Sequence, residues 1–226
     1  MRQFLKTTLP GTLVVLVLAA SAAAGGWFSG LSGGGKGSGE LVVQTRDVKA
    51  FTRIETNGSA DITVTVGPEQ SVQMTFDHNL IDFIETEVRG KTLKIRPTQS
   101  FSSRHRCEIV ITVPTLERVS CSGSGDIAVE RLDAESFEFE LSGSGNFTAE
   151  GKTDELEVSL LGSGDIDTSD LVAREAYVRI SGSGDVQVHA AESLDARVSG
   201  SGDISYYGDP EHVSRSVTGS GHIRSR

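Results

Sequence analysis

The chain has 226 residues, with 31 Asp and Glu against 21 Lys and Arg, for a formal net charge of −10 at pH 7. Binding of phosphates needs a basic face, so nucleic acid is excluded as a partner class and a polyanionic membrane surface is disfavoured for the same reason. Length alone leaves one large domain or two small ones open.

At the N-terminus Arg2 and Lys6 precede an apolar run from Leu13 to Ala20, and Ala20-Ser21-Ala22 and Ala22-Ala23-Ala24 offer small-residue cleavage sites. A basic start, a short apolar centre and such a site predict a secretory signal peptide over residues 1–24. The run is shorter than the roughly 20 residues of a membrane-spanning helix; retention as an anchor is the alternative. No cysteine follows that could carry a lipid at a new N-terminus. The expected product lacks a transmembrane domain and lies outside the cytoplasm, whether periplasmic, secreted or at the cell surface. Losing Arg2 and Lys6 would leave it near −12. Residues 25–40, "GGWFSGLSGGGKGSGE", read as a flexible Gly/Ser-rich linker.

Residues 41–114 are β-rich but irregular: "DITVTVG", "SVQMTFD", "KTLKIRP" and "CEIVITVP" alternate apolar and polar residues. Within them only "HNLIDFIETEV" (His78–Val88) has room for a short helix. "SSRHRCE" gathers Arg104, His105 and Arg106 on an otherwise acidic chain, either as a solvated lead-in to a strand or as an anion or partner contact.

From residue 115 to 226 one run returns six times: SGSGDI at Ser122, SGSGNF at Ser142, LGSGDI at Leu161, SGSGDV at Ser181, SGSGDI at Ser199 and TGSGHI at Thr218. Its first glycines, Gly123, Gly143, Gly162, Gly182, Gly200 and Gly219, are spaced by 20, 19, 20, 18 and 19 residues. A period near 19 without helical patterning predicts one β-solenoid coil per repeat. Two residues before each first glycine stand Cys121, Leu141, Leu160, Ile180, Val198 and Val217; four before stand Val119, Phe139, Val158, Val178, Ala196 and Arg215. The column between them is polar, so one parity faces in and the other out, with like side chains stacked about 4.8 Å apart. Burial then comes from stacked columns, with no long core strand, at about 1.5–3 kcal/mol per buried aliphatic side chain. Arg215 and the terminal "RSR" would cap the last coil and discourage end-to-end pairing.

The first glycines, and Gly125, Gly145, Gly164, Gly184, Gly202 and Gly221 two residues on, suit a sharp turn and close approach of neighbouring coils. Three residues after the first glycine stand Asp126, Asn146, Asp165, Asp185, Asp203 and His222. Carboxylates stacked at that spacing repel by about 0.9 kcal/mol in bulk water and about 3.5 kcal/mol at an effective dielectric near 20. Turn hydrogen bonds, raised pKa values, outward splaying or bound Ca²⁺ would relieve this. The turn role leads, and no cofactor or metal is expected. The minority reading places Ca²⁺ on Asp165, Asp185 and Asp203. It resembles the calcium-binding nonapeptide β-roll, whose nine-residue period this chain lacks.

Two carboxylates about 5 Å apart could also serve a polysaccharide-processing enzyme. The segments between copies are short, however, with no long loop to wall a cleft, so the chain reads as non-catalytic. His189 and His212 fall in variable connections. Cys107 and Cys121 both carry inward parity, leaving open a bridge worth about 3 kcal/mol or two buried thiols on different faces. Outward candidates for ligand contact are Tyr177, Arg179 and Arg197; Tyr206 has inward parity.

"FTRIETNGSADITVTVG", "GKTLKIRP", "VPTLERVSCSGSGDI" and the closing "LDARVSGSGDISYYGDPEHVSRSVTGSGHI" together resemble the head GIN domain family, bacterial secreted or lipid-anchored proteins labelled as auto-transporter adhesins. The likeness runs from about Val48 to Ser225. It implies a parallel β-helix of short coils and carries no established binding residues. The expectation is an all-β, parallel, right-handed β-helix over residues 41–226 that acts as an adhesin-like binding module for a glycan or a surface protein. A structural envelope component, able to self-associate, is the alternative.

Overall fold

The computed structural model describes residues 35–226; the predicted signal peptide and most of the predicted linker lie outside the described residues. The described chain is almost wholly strand and forms a β-solenoid of about 5 turns with coils of about 20 residues. The strands are β1 (Gly35–Lys36), β2 (Leu41–Thr45), β3 (Arg53–Gly58), β4 (Asp61–Val66), β5 (Ser71–Asp77), β6 (Ile84–Arg89), β7 (Thr92–Pro97), β8 (Phe101–Ser102) and β9 (Glu108–Val113). The repeat region follows as β10 (Arg118–Gly123), β11 (Ile127–Gly143), β12 (Phe147–Gly162), β13 (Ile166–Gly182), β14 (Val186–Gly200), β15 (Ile204–Tyr207), β16 (His212–Gly219) and β17 (Ile223–Ser225).

Parallel pairing places the sequence columns in register: Val119, Phe139, Val158, Val178, Ala196 and Arg215 are successive partners, as are Cys121, Leu141, Leu160, Ile180, Val198 and Val217. Members of both columns are buried up to the last coil. Phe147 stacks on Phe139 with ring centroids 3.5 Å apart, so large rings also fill the interior across the corner. In the last coil nothing among the described residues covers the columns, and Val217 is 43% exposed. There Arg215 lies over the Tyr206 ring, 5.0 Å from its centroid, and donates to its hydroxyl. A cation thus closes the end of the inward stack.

Three expectations change. Strands β11 to β14 run 15–17 residues, longer than foreseen, because pairing continues around the coil and the strand bends at register shifts instead of ending. The His78–Val88 segment holds one 3₁₀ turn, Ile81–Phe83, before β6 pairs antiparallel with β7. The last six residues of the predicted linker, 35–40, belong to the fold: β1 pairs with β8, and Gly39 N–H binds the Asp77 carboxylate.

The irregular half both continues the solenoid and closes it. β3 pairs in parallel with β10, and β4 with β11, so Asn57-Gly58-Ser59-Ala60-Asp61-Ile62 is a further copy of the repeated run, in register with Ser122 to Ile127. The insertion after β4 returns beneath this first coil, with β7 beside β3 and β9 beside β4. Antiparallel partners β6, β5 and β2 complete the end.

The corner glycines have a steric cause. A Cβ on any of the twelve would lie 1.9–2.1 Å from the carbonyl oxygen of the equivalent residue one coil earlier, far inside van der Waals contact. Gly164→Ala, where that distance is 1.9 Å, is expected to destabilise the protein by about 3 kcal/mol in urea unfolding. Gly90→Ala has a φ of +62° and open space around it, so it should cost only about 1 kcal/mol. Equal costs would show that backbone conformation, not coil stacking, selects these glycines.

Candidate binding face and corner ladder

Each corner is fastened to the one before it by two hydrogen bonds. The corner serine N–H donates to the preceding coil's first-glycine carbonyl, as in Ser144 to Gly123, Ser163 to Gly143 and Ser183 to Gly162, at 2.9–3.0 Å. The ladder residue's N–H donates to the preceding side chain: Asp126 to Asp61, Asn146 to Asp126, Asp165 to Asn146, Asp185 to Asp165, Asp203 to Asp185 and His222 to Asp203, at 2.8–3.4 Å. Every ladder oxygen Oδ1 is therefore occupied by backbone.

Charge is relieved chiefly at the two ends. Arg106 Nη1 sits 2.8 Å from Asp61 and 3.5 Å from Asp126, and Arg224 Nη2 sits 2.7 Å from Asp203. Burial pushes the Asp203 carboxyl up, but the N–H and ring of His222, with Arg224, outweigh it and hold the group below its ordinary value. Among the described residues no group of three His, Cys, Asp or Glu side chains is placed to hold a metal ion. Asp165, Asp185 and Asp203 each accept the backbone N–H of the next ladder residue.

Cys107 and Cys121 are both buried, and both are free thiols. Cys121 lies within β10, and Cys107 precedes β9, whose partner β4 lies beyond the corner. Burial pushes the Cys107 thiol up to about 12 and that of Cys121 to about 11, so both stay protonated at neutral pH.

The three outward candidates do converge. Tyr177, Arg179 and Arg197 line one shallow cleft of about 220 Å³ together with Glu155, Glu157 and Asp195. β12, β13 and β14 position them by alternation: Glu157, Tyr177 and Asp195 form one outward column, and Ser159, Arg179 and Arg197 the next. Tyr177 is 42% exposed and its hydroxyl lies 3.3 Å from Glu175. Nearby Glu175, more than burial, raises its pKa, so the phenol remains a donor. Arg197 is held by Asp195 through two bonds of 2.9–3.0 Å. Arg179 has no ion pair among the described residues, so its guanidinium is available. His189 is part-buried beside the Ser169 carbonyl, and His212 lies on exposed β16.

Sequence reading missed Asp77. Its carboxylate is buried, accepting Gly39 N–H at 2.5 Å and the Ser103 hydroxyl, with His105 Nδ1 at 3.9 Å. A Cβ on Gly37 would strike the same carboxylate. Nothing but an Asp closing a strand signals this clamp, because its partners lie about 26 and 38 residues away.

A family model described as "Putative auto-transporter adhesin, head GIN domain" matches residues 50–210. The chain belongs to this family. Solved structures with the same fold include a "putative adhesin" from Bacteroides fragilis, 27% identical, with a TM-score of 0.72 over 85% of this chain and all of that one. A "putative lipid binding protein" from Parabacteroides distasonis is 28% identical, with a TM-score of 0.57 over 84% of this chain and 98% of that one. A second protein from that organism, a "putative adhesin", shares the fold at 22% identity and a TM-score of 0.57, over 85% of this chain and 99% of that one. No curated protein matches the chain. Among the described residues no helix is long and apolar enough to cross a membrane.

Two outcomes follow from this geometry. Asp185→Ala removes the acceptor for Asp203 N–H and should cost about 1–2 kcal/mol in urea unfolding. Asp185→Asn keeps an acceptor oxygen, as Asn146 does, and should cost much less. The Ser103 hydroxyl, more than the opposing effect of burial, lowers the Asp77 pKa, with Gly39 N–H and His105 adding to it. A lowered folded-state pKa contributes stability that is full above the unfolded value near 3.9 and is lost as pH falls through the folded value. The protection of the Gly39 amide relative to its intrinsic exchange rate should therefore fall on acidification below about pH 4, and Asp77→Ala, which removes the acceptor, should show that loss already at neutral pH.

Proposed function

We propose that this adhesin-like protein is an exported, non-catalytic binding module whose outward coil face takes a glycan. The carrying observation is the convergence in one cleft of an exposed Tyr177 ring, Arg179, which has no ion pair among the described residues, and the paired Arg197 with Glu155, Glu157 and Asp195. Aromatic faces pack on the C–H surface of a sugar, while carboxylates and guanidinium groups bond to its hydroxyls. A shallow cleft on a rigid stacked sheet favours contact with part of a larger polymer over enclosure of a small substrate. The signal-peptide pattern supports export, and the family's adhesin description supports a place outside the cytoplasm.

A non-catalytic role is favoured because the ladder carboxylates are engaged by backbone N–H groups, leaving them poorly placed as a general acid and base. For the same reason no resident Ca²⁺ is proposed. The test is retention of the purified protein on immobilised bacterial-envelope and host glycans, in Ca²⁺ and in EDTA. Selective retention independent of EDTA is expected, weakened about tenfold or more by Tyr177→Ala or Arg179→Ala. If no glycan retains the protein while sedimentation shows self-association, the structural envelope role replaces this reading.

A further inference from the structure

The N-terminal end of the corner stack is built differently from every other level. Below the first coil, β7 ends at Pro97 and β9 starts at Glu108, and the chain between them loops outward instead of forming a Gly-Ser-Gly corner. Among the described residues the first corner, Asn57 to Ala60, therefore has no coil beneath it. A cavity of about 390 Å³ occupies that place.

Two consequences follow for the cavity wall. In each later corner the serine N–H donates toward the preceding coil; Ser59 N–H has no such carbonyl to meet, and neither Ser59 nor Ala60 N–H has a hydrogen-bond partner among the described residues. Paired N–H groups at a turn form a concave donor site for an oxygen anion. Arg96 and Arg106 line the same cavity. Arg96 is bound to Glu85 only through Nε, and Arg106 to Asp61 and Asp126 only through Nη1. The remaining nitrogens of both have no partner among the described residues. The acids Glu85, Asp61 and Asp126 thus orient the two guanidinium groups without using up their donors. The apolar part of the lining is Phe76, Ile84, Ile95, Pro97 and Phe101, and Asn57, Ser102, Ser103 and His105 add polar wall.

We infer that this cavity binds an amphiphile carrying a carboxylate, whose oxygens replace the missing corner carbonyl at Ser59 and Ala60 and meet Arg96 and Arg106, while its hydrocarbon lies on Phe76, Ile84, Ile95 and Phe101. Charge-assisted N–H bonds fix the head, and the apolar side of a pocket of this size takes the chain. The site is separate from the outward cleft. It gives Arg106, within the Arg104-His105-Arg106 cluster, a ligand as well as its ladder partners.

The position also carries its own blocking substitution. Ala60 is in register with Gly125, whose added Cβ would point at the Ala60 carbonyl, toward the preceding coil. At Ala60 that same direction leads into the cavity, so Ala60→Leu directs a larger side chain into it.

The experiment titrates the purified protein with octanoate and follows the Ser59 and Ala60 amide resonances, with octanol and acetate as comparators. Saturable shifts at both amides are expected, with octanol and acetate each at least about tenfold weaker. Arg106→Gln should weaken octanoate by about tenfold, and Ala60→Leu should abolish its binding. Unmoved Ser59 and Ala60 amides in the unmodified protein would overturn the assignment, whatever the variants do. So would octanol binding as tightly as octanoate, or unchanged binding to a folded Ala60→Leu protein.

Discussion

One contact governs this molecule: the carbonyl of each corner glycine lies where the next coil's corner residue would carry its Cβ. Coils joined by parallel hydrogen bonds must stack at strand spacing, and at a sharp corner that spacing leaves room for hydrogen and nothing larger. The Gly-x-Gly pattern is thus imposed by the neighbour and not by the turn alone. Among the second glycines of the runs, Gly125, Gly145, Gly164, Gly184, Gly202 and Gly221, no φ falls in the left-handed region, yet a Cβ is still forbidden. The exception supports the cause. Ala60 occupies this column at the first level, where no coil lies beneath among the described residues.

Once the corners stack, the rest follows. Alternation on either side of the corner aligns the inward aliphatic columns, giving a continuous apolar interior that no single repeat could bury. The Asp column becomes a chain of acceptors, each receiving the next coil's N–H, so a set of negative charges that would repel is used to satisfy corner backbone. The ends are finished by different means: a β-rich insertion below, and Arg215 on Tyr206 above. The surfaces that stacking does not consume are the outward columns and the cavity at the interrupted corner, and the proposed binding falls to them.

Most of the solenoid was legible because its information is periodic. Six glycines at nearly equal spacing define the coil, and two flanking columns define the inward face, down to Arg215 as the one misfit. The outward candidates Tyr177, Arg179 and Arg197 followed from parity alone, and pairing of adjacent coils brings them into one cleft. What was hidden depends on non-periodic contacts. Asn57 to Ile62 carries the repeated run, but it stands 65 residues before its partner instead of about 19 because the closing insertion intervenes. Asp77 joins segments remote in sequence, and the cavity exists because one corner is absent, which composition does not reveal.

The central claim is that corner N–H groups are tied coil to coil, so it is tested most directly by residue-resolved native-state hydrogen exchange at the corner serines. Ser144, Ser163, Ser183 and Ser201 are all at the surface, yet each donates to a preceding carbonyl at 2.9–3.0 Å, whereas Ser59 donates to nothing among the described residues. Slow exchange at the four and fast exchange at Ser59 is the result this account predicts. Uniformly fast exchange, or a Ser59 as protected as the others, would contradict it.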